Sequence, residues 1–336
     1  MTLFFFGTKN VFFAMQRIAR QNLITKFAKC TIMITKEYKS VLEVMADFSD
    51  RSVCVKYLED ARWRGTVVSP FDKNSKVYKC KGERYYCCST GKYFNVLTGS
   101  MFENTKLPLN IWLVTIWLLK SSKKGISSYQ LARTVGITQK TAWFMLHRIR
   151  NCFVEENQYV LKNEVEMDET FVGGKNKNRH KDKKVEKCQG RSFKDKTPVF
   201  GAVERGGKLI AKVIDDTSYK SIAPIVFNHV DKKATIFTDE WVAYDKIGKL
   251  YNRMFVDHSQ GQYVEGNATT NTIEGFWSIF KRGVIGVYQK TSKKHLQKYV
   301  NEFVWRYNMR NSSQGFQYSS FLSATNHRTK YKELVA

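Results

Sequence analysis

The stretch NEVEMDETFV, Asn163–Val172, decides the fold of the second half of this chain. Its residues alternate in character, so that Val165 and Met167 fall on one face. Glu166 and Asp168 fall on the opposite face. Alternation with a period of two is the pattern of a β-strand that is buried on one side. The stretch therefore predicts a strand that carries an acid close to its end.

The segments that follow predict the remaining elements of an α/β layer. Two strands joined by Gly206-Gly207 form a hairpin, and a second short, buried strand ends at Asp239. The helices and strands are expected, in chain order, at residues 198–216 (two strands), 219–230 (helix), 234–240 (strand), 252–259 (strand), 271–283 (helix) and 292–310 (helix). This order predicts a mixed sheet with flanking helices.

Two acids and one helix are expected to meet at one edge of this sheet. Asp168 and Asp239 each lie at or near the end of a predicted strand, and strand ends are where α/β sheets bind ligands. In the helix that starts at Asn271, four apolar residues share one stripe: Ile273, Phe276, Trp277 and Phe280. Glu274 and Lys281 lie two turns apart at the flank of that stripe. The helix is thus expected to lean a carboxylate and an ammonium over the sheet edge.

Three carboxylates that meet at one place repel each other, and hard divalent cations compensate that repulsion. Oxygen ligands are those that Mg²⁺ or Mn²⁺ prefer. Two such ions clamp the attacking and leaving oxygens when a phosphodiester is displaced. Asp168, Asp239 and Glu274 are therefore predicted to bind two Mg²⁺ or Mn²⁺ ions, with Lys281 beside a DNA phosphate. The alternative is that each acid is a structural partner of a nearby lysine.

A helix-turn-helix pattern precedes the sheet, within Gly125–Arg150. A short helix over Ser128–Thr134 is followed by a turn at Gly136, and Thr138 caps a second helix. In such a motif the second helix enters the major groove of DNA. Its solvent side is expected to present Gln139, Lys140, His147, Arg148 and Arg150. The alternative is an ordinary helical hairpin with a solvated basic face.

The charge of the chain predicts a polyanionic partner. Lys and Arg number 56 against 30 Asp and Glu, which gives a formal net charge of +26. Nucleic acid is the first candidate, and no apolar run is long enough for a membrane span. Residues 174–197 alone hold ten Lys or Arg. This loop either tracks phosphates or is merely solvated. The predicted DNA contacts are Gln139, Lys140, Arg148, Lys175, Lys177, Arg179, Lys281 and Arg282.

Several motifs together resemble the DDE-type insertion-sequence transposases related to the Merlin superfamily. The resemblance covers about residues 40–312 and includes MDETFVGGKNKNRH, TDEWVAY and NTIEGFWSIFKRGVIGVY. It implies a ribonuclease H-like catalytic domain in which Asp168, Asp239 and Glu274 are the three acids. Lys281 matches the lysine that follows the third acid, and Asn271 is a competing third position. His258 follows a strand near the acids and is a candidate auxiliary residue.

The resemblance implies metal-dependent cleavage at terminal inverted repeats and strand transfer to a target DNA. A homo-oligomer is expected because two ends must be joined, and no membrane partner is expected. The location implied is cytoplasmic and nucleoid-associated, or nuclear in a eukaryotic host. Two alternatives are a non-catalytic DNA-binding regulator derived from a transposase and a nuclease on the same fold.

The β-rich module before the helix-turn-helix departs from the zinc ribbon of the resembled family. The matching positions read Ser69-Pro70-Phe71-Asp72 and Cys88-Ser89-Thr90-Gly91, so that only Cys88 remains of four cysteines. Cys80 and Cys87 have no partner at ligand spacing, and tetrahedral zinc needs four good ligands. The sequence therefore predicts that no zinc is bound.

The expected organisation has five parts. They are an extension of unknown role (1–35), a helix with the degenerate zinc-ribbon-like β module (36–104), the helix-turn-helix region (105–155), the catalytic domain (160–312) and a C-terminal tail (313–336).

Overall fold

The computed structural model describes residues 36–153, 159–174, 180–184, 196–255 and 269–335. They form two compact units, each described by itself here. The first unit holds the described residues up to Trp117 together with Ser312–Arg328, and the second holds Leu118–Asn311 and Thr329–Ala336. The predicted extension at 1–35 lies outside the described residues.

Helices and a small antiparallel sheet build the first unit. Its elements are α1 (Val41–Asp47), α2 (Arg51–Trp63), β1 (Val77–Lys79), β2 (Tyr85–Cys87), β3 (Lys92–Phe94), most of α3 (Leu109–Ser121) and α10 (Gln314–Ser323). Tyr318 of α10 packs its ring against Tyr38 and Tyr57, and its hydroxyl donates to the carbonyl of Leu113 at 3.0 Å. The segment predicted as a C-terminal tail therefore supplies a core helix of this unit.

The second unit begins with the predicted helix-turn-helix. Ser127 caps α4 (Ser128–Val135), and Gly136 ends it in the left-handed region at φ 69°. Thr138 then caps α5 (Gln139–Asn151) by accepting a hydrogen bond from the amide of Thr141. Caps and turn lie where the sequence predicts them, because Ser and Thr satisfy free helix amides and Gly tolerates a positive φ.

A five-stranded mixed sheet forms the centre of the second unit. Its strands are β4 (Glu164–Val172), β5 (Thr197–Glu204), β6 (Leu209–Val213), β7 (Thr235–Thr238) and β8 (Asn252–Phe255), in the spatial order β6-β5-β4-β7-β8. Strands β4, β5 and β6 pair antiparallel, whereas β7 and β8 continue parallel to β4. Three antiparallel strands followed by two parallel strands form the ribonuclease H-like arrangement. The predicted fold class is therefore confirmed.

Helices cover both faces of this sheet. On one face, α6 (Tyr219–His229) and α7 (Ala243–Gly248) pack against a core that includes Val165, Met167 and Ile236. The opposite face packs against α8 (Asn271–Gly283) and α9 (Lys293–Asn308). A π-helical turn, Val284–Tyr288, follows α8 directly, and α11 (Tyr331–Val335) closes the described chain. None of the described helices has the length and apolarity to cross a membrane.

Candidate active site beside β4 and β7

Asp168 lies in the middle of β4, and Asp239 directly follows the adjacent parallel strand β7. The expectation that Asp168 lies close to a strand end is therefore wrong, because β4 continues to Val172 along its antiparallel partner β5. The register pairs Glu166 of β4 with Phe237 of β7, and each aspartate follows two residues later. Because side chains alternate along a strand, Asp168 belongs to the same face as Glu166, the face that α8 covers. Asp168 is partly exposed and Asp239 is buried at 6% exposure. The two predicted strand acids are therefore neighbours.

The turn that carries Asp239 is fixed by main-chain hydrogen bonds. An Oδ1 atom of Asp239 accepts the amide of Trp241 at 3.1 Å. From β8, Arg253 donates through Nη2 to the carbonyl of Asp239 at 2.9 Å and through Nε to the hydroxyl of Thr238 at 2.9 Å. The carboxylate of Asp239 is thus presented by a turn that the neighbouring strand holds in place.

A buried tyrosine lies close to both aspartates. Tyr244 of α7 is fully buried, and its hydroxyl donates to the carboxylate of Glu169. Burial, followed by the charges of Glu169, Asp168 and Asp239, raises the pKa of Tyr244 well above its ordinary value. The phenol therefore stays protonated and remains a hydrogen-bond donor beside this group of acids.

Helix α8 runs across the sheet next to Asp168. Gly201 is the cross-strand partner of Asp168 on β5, and a Cβ at Gly201 would lie 2.5 Å from the ring of Trp277 and 3.0 Å from Ile273. The absence of a side chain at Gly201 lets the helix approach this closely. Glu274 follows Ile273 directly, so it lies on the part of α8 that approaches the sheet near Asp168.

The functional residues predicted on α8 are exposed. Glu274 accepts a hydrogen bond from the hydroxyl of Thr270 at 2.8 Å, and Lys281 lies two turns further along the helix. Arg282 is held by Ser278, whose Oγ accepts from Nη2 at 2.6 Å. Asn271 is exposed at the first position of the helix. Both Glu274 and Asn271 thus belong to the first turn of α8.

The structure does not present a preformed three-carboxylate cage. Among the residues that it describes, no three His, Cys, Asp or Glu side chains are grouped closely enough to hold a metal ion. The strand acids are neighbours, while Glu274 is bonded to Thr270. Four predicted site residues lie outside the described residues: Lys175, Lys177, Arg179 and His258.

The predicted DNA-reading face of α5 needs a correction. Lys140 is exposed, and Gln139 is half-buried with its amide donating to the hydroxyl of Ser128 at 2.8 Å. His147, Arg148 and Arg150, which were expected on the solvent side, are all buried at 4% exposure or less. His147 and Arg150 are buried against α9 within the same unit, and the guanidinium of Arg148 lies over the ring of Phe144. The expected solvent exposure of these three residues is therefore wrong.

Two neighbouring cysteines of the zinc-ribbon-like module differ in exposure. Cys88 is exposed, whereas Cys87 is fully buried, so Cys87 is the cysteine that occupies the interior of the module. Burial disfavours the thiolate of Cys87, but hydrogen bonds from the hydroxyls of Ser69, Ser75, Thr90 and Ser89 outweigh it and lower its pKa to about 6. A cluster of hydroxyls around one thiol thus stands where the resembled family has metal ligands.

Sequence reasoning did not identify several polar residues around the site. Buried Glu166 pairs with half-buried Arg205 close to Asp168, while Tyr244 and Arg253 lie near Asp239. One signal was available, because Glu166 is an acid on the same strand face as Asp168. No comparable signal marks Arg205, since its partners lie 39 and 64 residues away in sequence.

With this geometry in place, comparison with known proteins identifies the class. Residues 160–308 match the sequence model of the ISXO2-like transposase domain. This part of the chain, which contains the sheet, both aspartates and α8, is thus similar to the ISXO2-like transposase domain. The predicted resemblance to insertion-sequence transposases is thereby confirmed.

One relative and two solved structures give the wider context. The chain is 26% identical over 262 residues to an uncharacterised protein in the transposable element ISH50 of Halobacterium salinarum, which covers 74% of this chain and 88% of that protein. A Mos1 strand transfer complex matches at 12% identity and a TM-score of 0.24, covering 65% of this chain and 79% of its own. A pre-cleavage Mos1 transpososome matches at 11% identity and a TM-score of 0.22, covering 87% and 98%.

Proposed function

We propose that this protein is the transposase of an insertion sequence, which cleaves DNA at the ends of the element and transfers the freed strand to a target. The observation that carries the proposal is the pair formed by Asp168 on β4 and Asp239 directly after the adjacent strand β7, inside the residues that match a transposase domain. Helix α8 brings Glu274 to the same edge of the sheet. The assignment of Glu274 rather than Asn271 as the third residue rests on its charge.

The donor chemistry of this pair fits Mg²⁺ or Mn²⁺. Both ions take oxygen ligands, and Mg²⁺ is commonly held by one or two carboxylates together with waters and substrate phosphates. Asp168 and Asp239 supply such oxygens, and Glu274 would complete the set once it leaves Thr270. Bound ions would neutralise phosphate charge and favour ionisation of a reacting water or hydroxyl. No zinc is assigned to the module around Cys87.

The chain's own residues would position DNA for two successive displacements. In the first, water attacks the phosphodiester at the end of the element and a 3′-hydroxyl leaves. In the second, that hydroxyl attacks a target phosphodiester in line, and the displaced 3′-oxygen leaves. Both steps depend mainly on alignment and charge compensation. Lys281 and Arg282, exposed at the end of α8, are assigned to the phosphates beside the acids.

Recognition of the element's ends is assigned to the helix-turn-helix. Lys140 is exposed near the start of α5, where a recognition helix meets DNA, with Gln139 beside it. The proposed division is the β module at 36–104, the helix-turn-helix region at 105–155 and the catalytic domain at 160–312. Synapsis of two ends requires an oligomer. The proposed site of action is the nucleoid, or the nucleus in a eukaryotic host.

Substitution of either strand aspartate tests the proposal directly. Asp168→Asn and Asp239→Asn should each abolish cleavage of a DNA that carries an element end, while end binding persists. Removal of one carboxylate eliminates half of the proposed ligand pair but leaves α5 untouched. Asp215→Asn is the matched control, because the Asp215 side chain is 92% exposed and should leave cleavage unchanged.

The same assay distinguishes the other candidate functions. Retained cleavage in Asp168→Asn or Asp239→Asn would remove that residue from the site. A wild-type protein that binds ends but neither cleaves nor joins them would be a DNA-binding regulator. Cleavage without strand transfer would indicate a nuclease on the same fold.

A further inference from the structure

A buried glutamate holds the start of the helix that carries Glu274. Glu166 is 1% exposed on β4, and its Oε2 accepts the backbone amides of Thr272 at 2.8 Å and Ile273 at 3.1 Å. Its Oε1 accepts the hydroxyl of Thr272 at 2.9 Å. These are first-turn amides of α8, which helical hydrogen bonding leaves free and to which a negative charge is attracted.

An arginine from the neighbouring hairpin fixes that glutamate. Arg205 donates through Nε to Oε1 of Glu166 at 2.8 Å and through Nη2 to the carbonyl of Thr269 at 2.9 Å. Its guanidinium lies over the ring of Phe237 at 4.0 Å. One side chain thus ties β4, β7 and the residues that lead into α8 together.

We propose that Glu166, held by Arg205, is a positioning residue that sets where the first turn of α8 lies, and so the distance of Glu274 from Asp168 and Asp239. The inference rests on the proposed function, because it concerns the geometry of the same acids. Glu166 lies two residues before Asp168 on one strand face, and its last hydrogen-bonded amide, on Ile273, immediately precedes Glu274. The strand acid and the helix acid are therefore connected through one buried carboxylate.

Glu166 itself is not assigned as a metal ligand. Its two oxygens accept four hydrogen bonds, two from backbone amides, one from a hydroxyl and one from a guanidinium. A metal ion would have to displace these hydrogen bonds. They are strong because the acceptor is an ionised carboxylate. The carboxylate acts on the reaction only through the position of α8.

Metal affinity provides a test that requires no turnover. Binding of Mn²⁺ to the full chain can be followed by the paramagnetic resonance signal of the free ion. Glu166→Gln should weaken Mn²⁺ binding about tenfold, because residues that orient ligands typically contribute tenfold to hundredfold to metal affinity. Glu166→Asp keeps the charge but falls short of the amides, and should give a smaller loss. Hydrogen exchange of the segment 270–276 should accelerate in both variants.

Glu164→Gln is the matched control. Glu164 also pairs with Arg205, at 3.1 Å, but it is 43% exposed and makes no hydrogen bond with α8 among its described contacts. Its substitution should leave both Mn²⁺ affinity and exchange at 270–276 at wild-type values. A thermal unfolding curve for each variant shows whether the comparison is between folded proteins.

Two results would overturn the inference in different ways. Unchanged Mn²⁺ affinity in Glu166→Gln and Glu166→Asp, with accelerated exchange at 270–276, would show that Glu166 only stabilises the helix, and the proposed function would stand. Wild-type Mn²⁺ affinity in Asp168→Asn would show that the strand acids hold no metal, and both proposals would fall.

Discussion

Helices α5 and α8 are each 13 residues long and each carries predicted functional side chains, yet they use their charges in opposite ways. On α8 the apolar stripe faces the sheet, and Glu274 and Lys281 are exposed. On α5 the basic residues Arg148 and Arg150 are buried together with the apolar ones. A basic residue in a helix therefore does not indicate a solvated face when a neighbouring helix places a carboxylate next to it, as at Arg150.

The acid that makes α5 different is Glu302 of α9. Its carboxylate is fully buried and accepts from Nε of Arg150 at 2.6 Å and from Nη1 of Arg306 at 2.6 Å. The hydroxyl of Tyr288 donates to it at 2.7 Å. Gly125 allows this packing, because a Cβ there would lie 1.8 Å from the Tyr288 hydroxyl. Helix α5 is thus fastened to α9 by buried charges.

Removal of Glu302 should produce the largest effect on stability. Glu302→Ala leaves Arg150 and Arg306 without their carboxylate, and breaking a buried ion pair from one side costs about 3–5 kcal/mol of unfolding free energy. Urea denaturation at neutral pH measures this. Asp215→Ala, at an exposed site, should change stability by less than about 0.5 kcal/mol. An equally small loss for Glu302→Ala would mean that α5 is not held as described.

Acid should weaken the same attachment. Burial opposes ionisation of Glu302, but Arg306, Arg150 and Tyr288 outweigh it and lower its pKa from 4.5 to about 2. A carboxylate with a depressed pKa in the folded state stabilises the protein above pH 4.5, and that stability is lost as the pH falls towards 2. This pH-dependent share of the stability comes from the ionised Glu302 carboxylate.

Comparison of wild type with Glu302→Gln isolates this share. Buried His147, whose pKa is lowered to about 2 by burial and by nearby cations, also destabilises the protein as the pH falls below 6.5. That loss is common to both proteins. The difference in their unfolding free energies should therefore shrink between pH 5 and pH 2.5. A difference that stays constant over this range would contradict the assignment of Glu302 as an ionised carboxylate.

A glycine beneath α8 tests the other helix. Gly201→Ala places a methyl group 2.5 Å from Trp277, and overpacking of this kind costs about 1–3 kcal/mol. The helix should move away from Asp168, so cleavage should fall together with stability. Gly275→Ala is the matched control within α8, because nothing lies within 4 Å of its Cβ and alanine favours a helix by about 1 kcal/mol. Equal behaviour of the two variants would show that α8 does not press on β5.

Local signals in the sequence were enough to predict the sheet and the strand acids, but not the contacts between distant residues. Alternation in Asn163–Val172 predicts β4 and the face that carries Asp168, because a strand's period is a local property. The Glu302 partner of Arg150 is 152 residues away in sequence, and no periodicity connects them. The predicted exposure of His147 was wrong for the same reason, because its ring packs against Tyr299 of α9.

DNA binding provides the smallest and most selective test of the two faces of α5. Lys140 is exposed, with its ammonium 5.3 Å from the ring of Tyr331, so Lys140→Ala should weaken binding to element ends. Loss of one phosphate contact reduces the slope of log affinity against log salt by about 1. Arg148→Ala should lower folding stability instead and leave that slope unchanged, because the guanidinium packs over Phe144. A similar decrease of the slope in both variants would show that α5 turns its buried face to DNA, and the contrast with α8 would disappear.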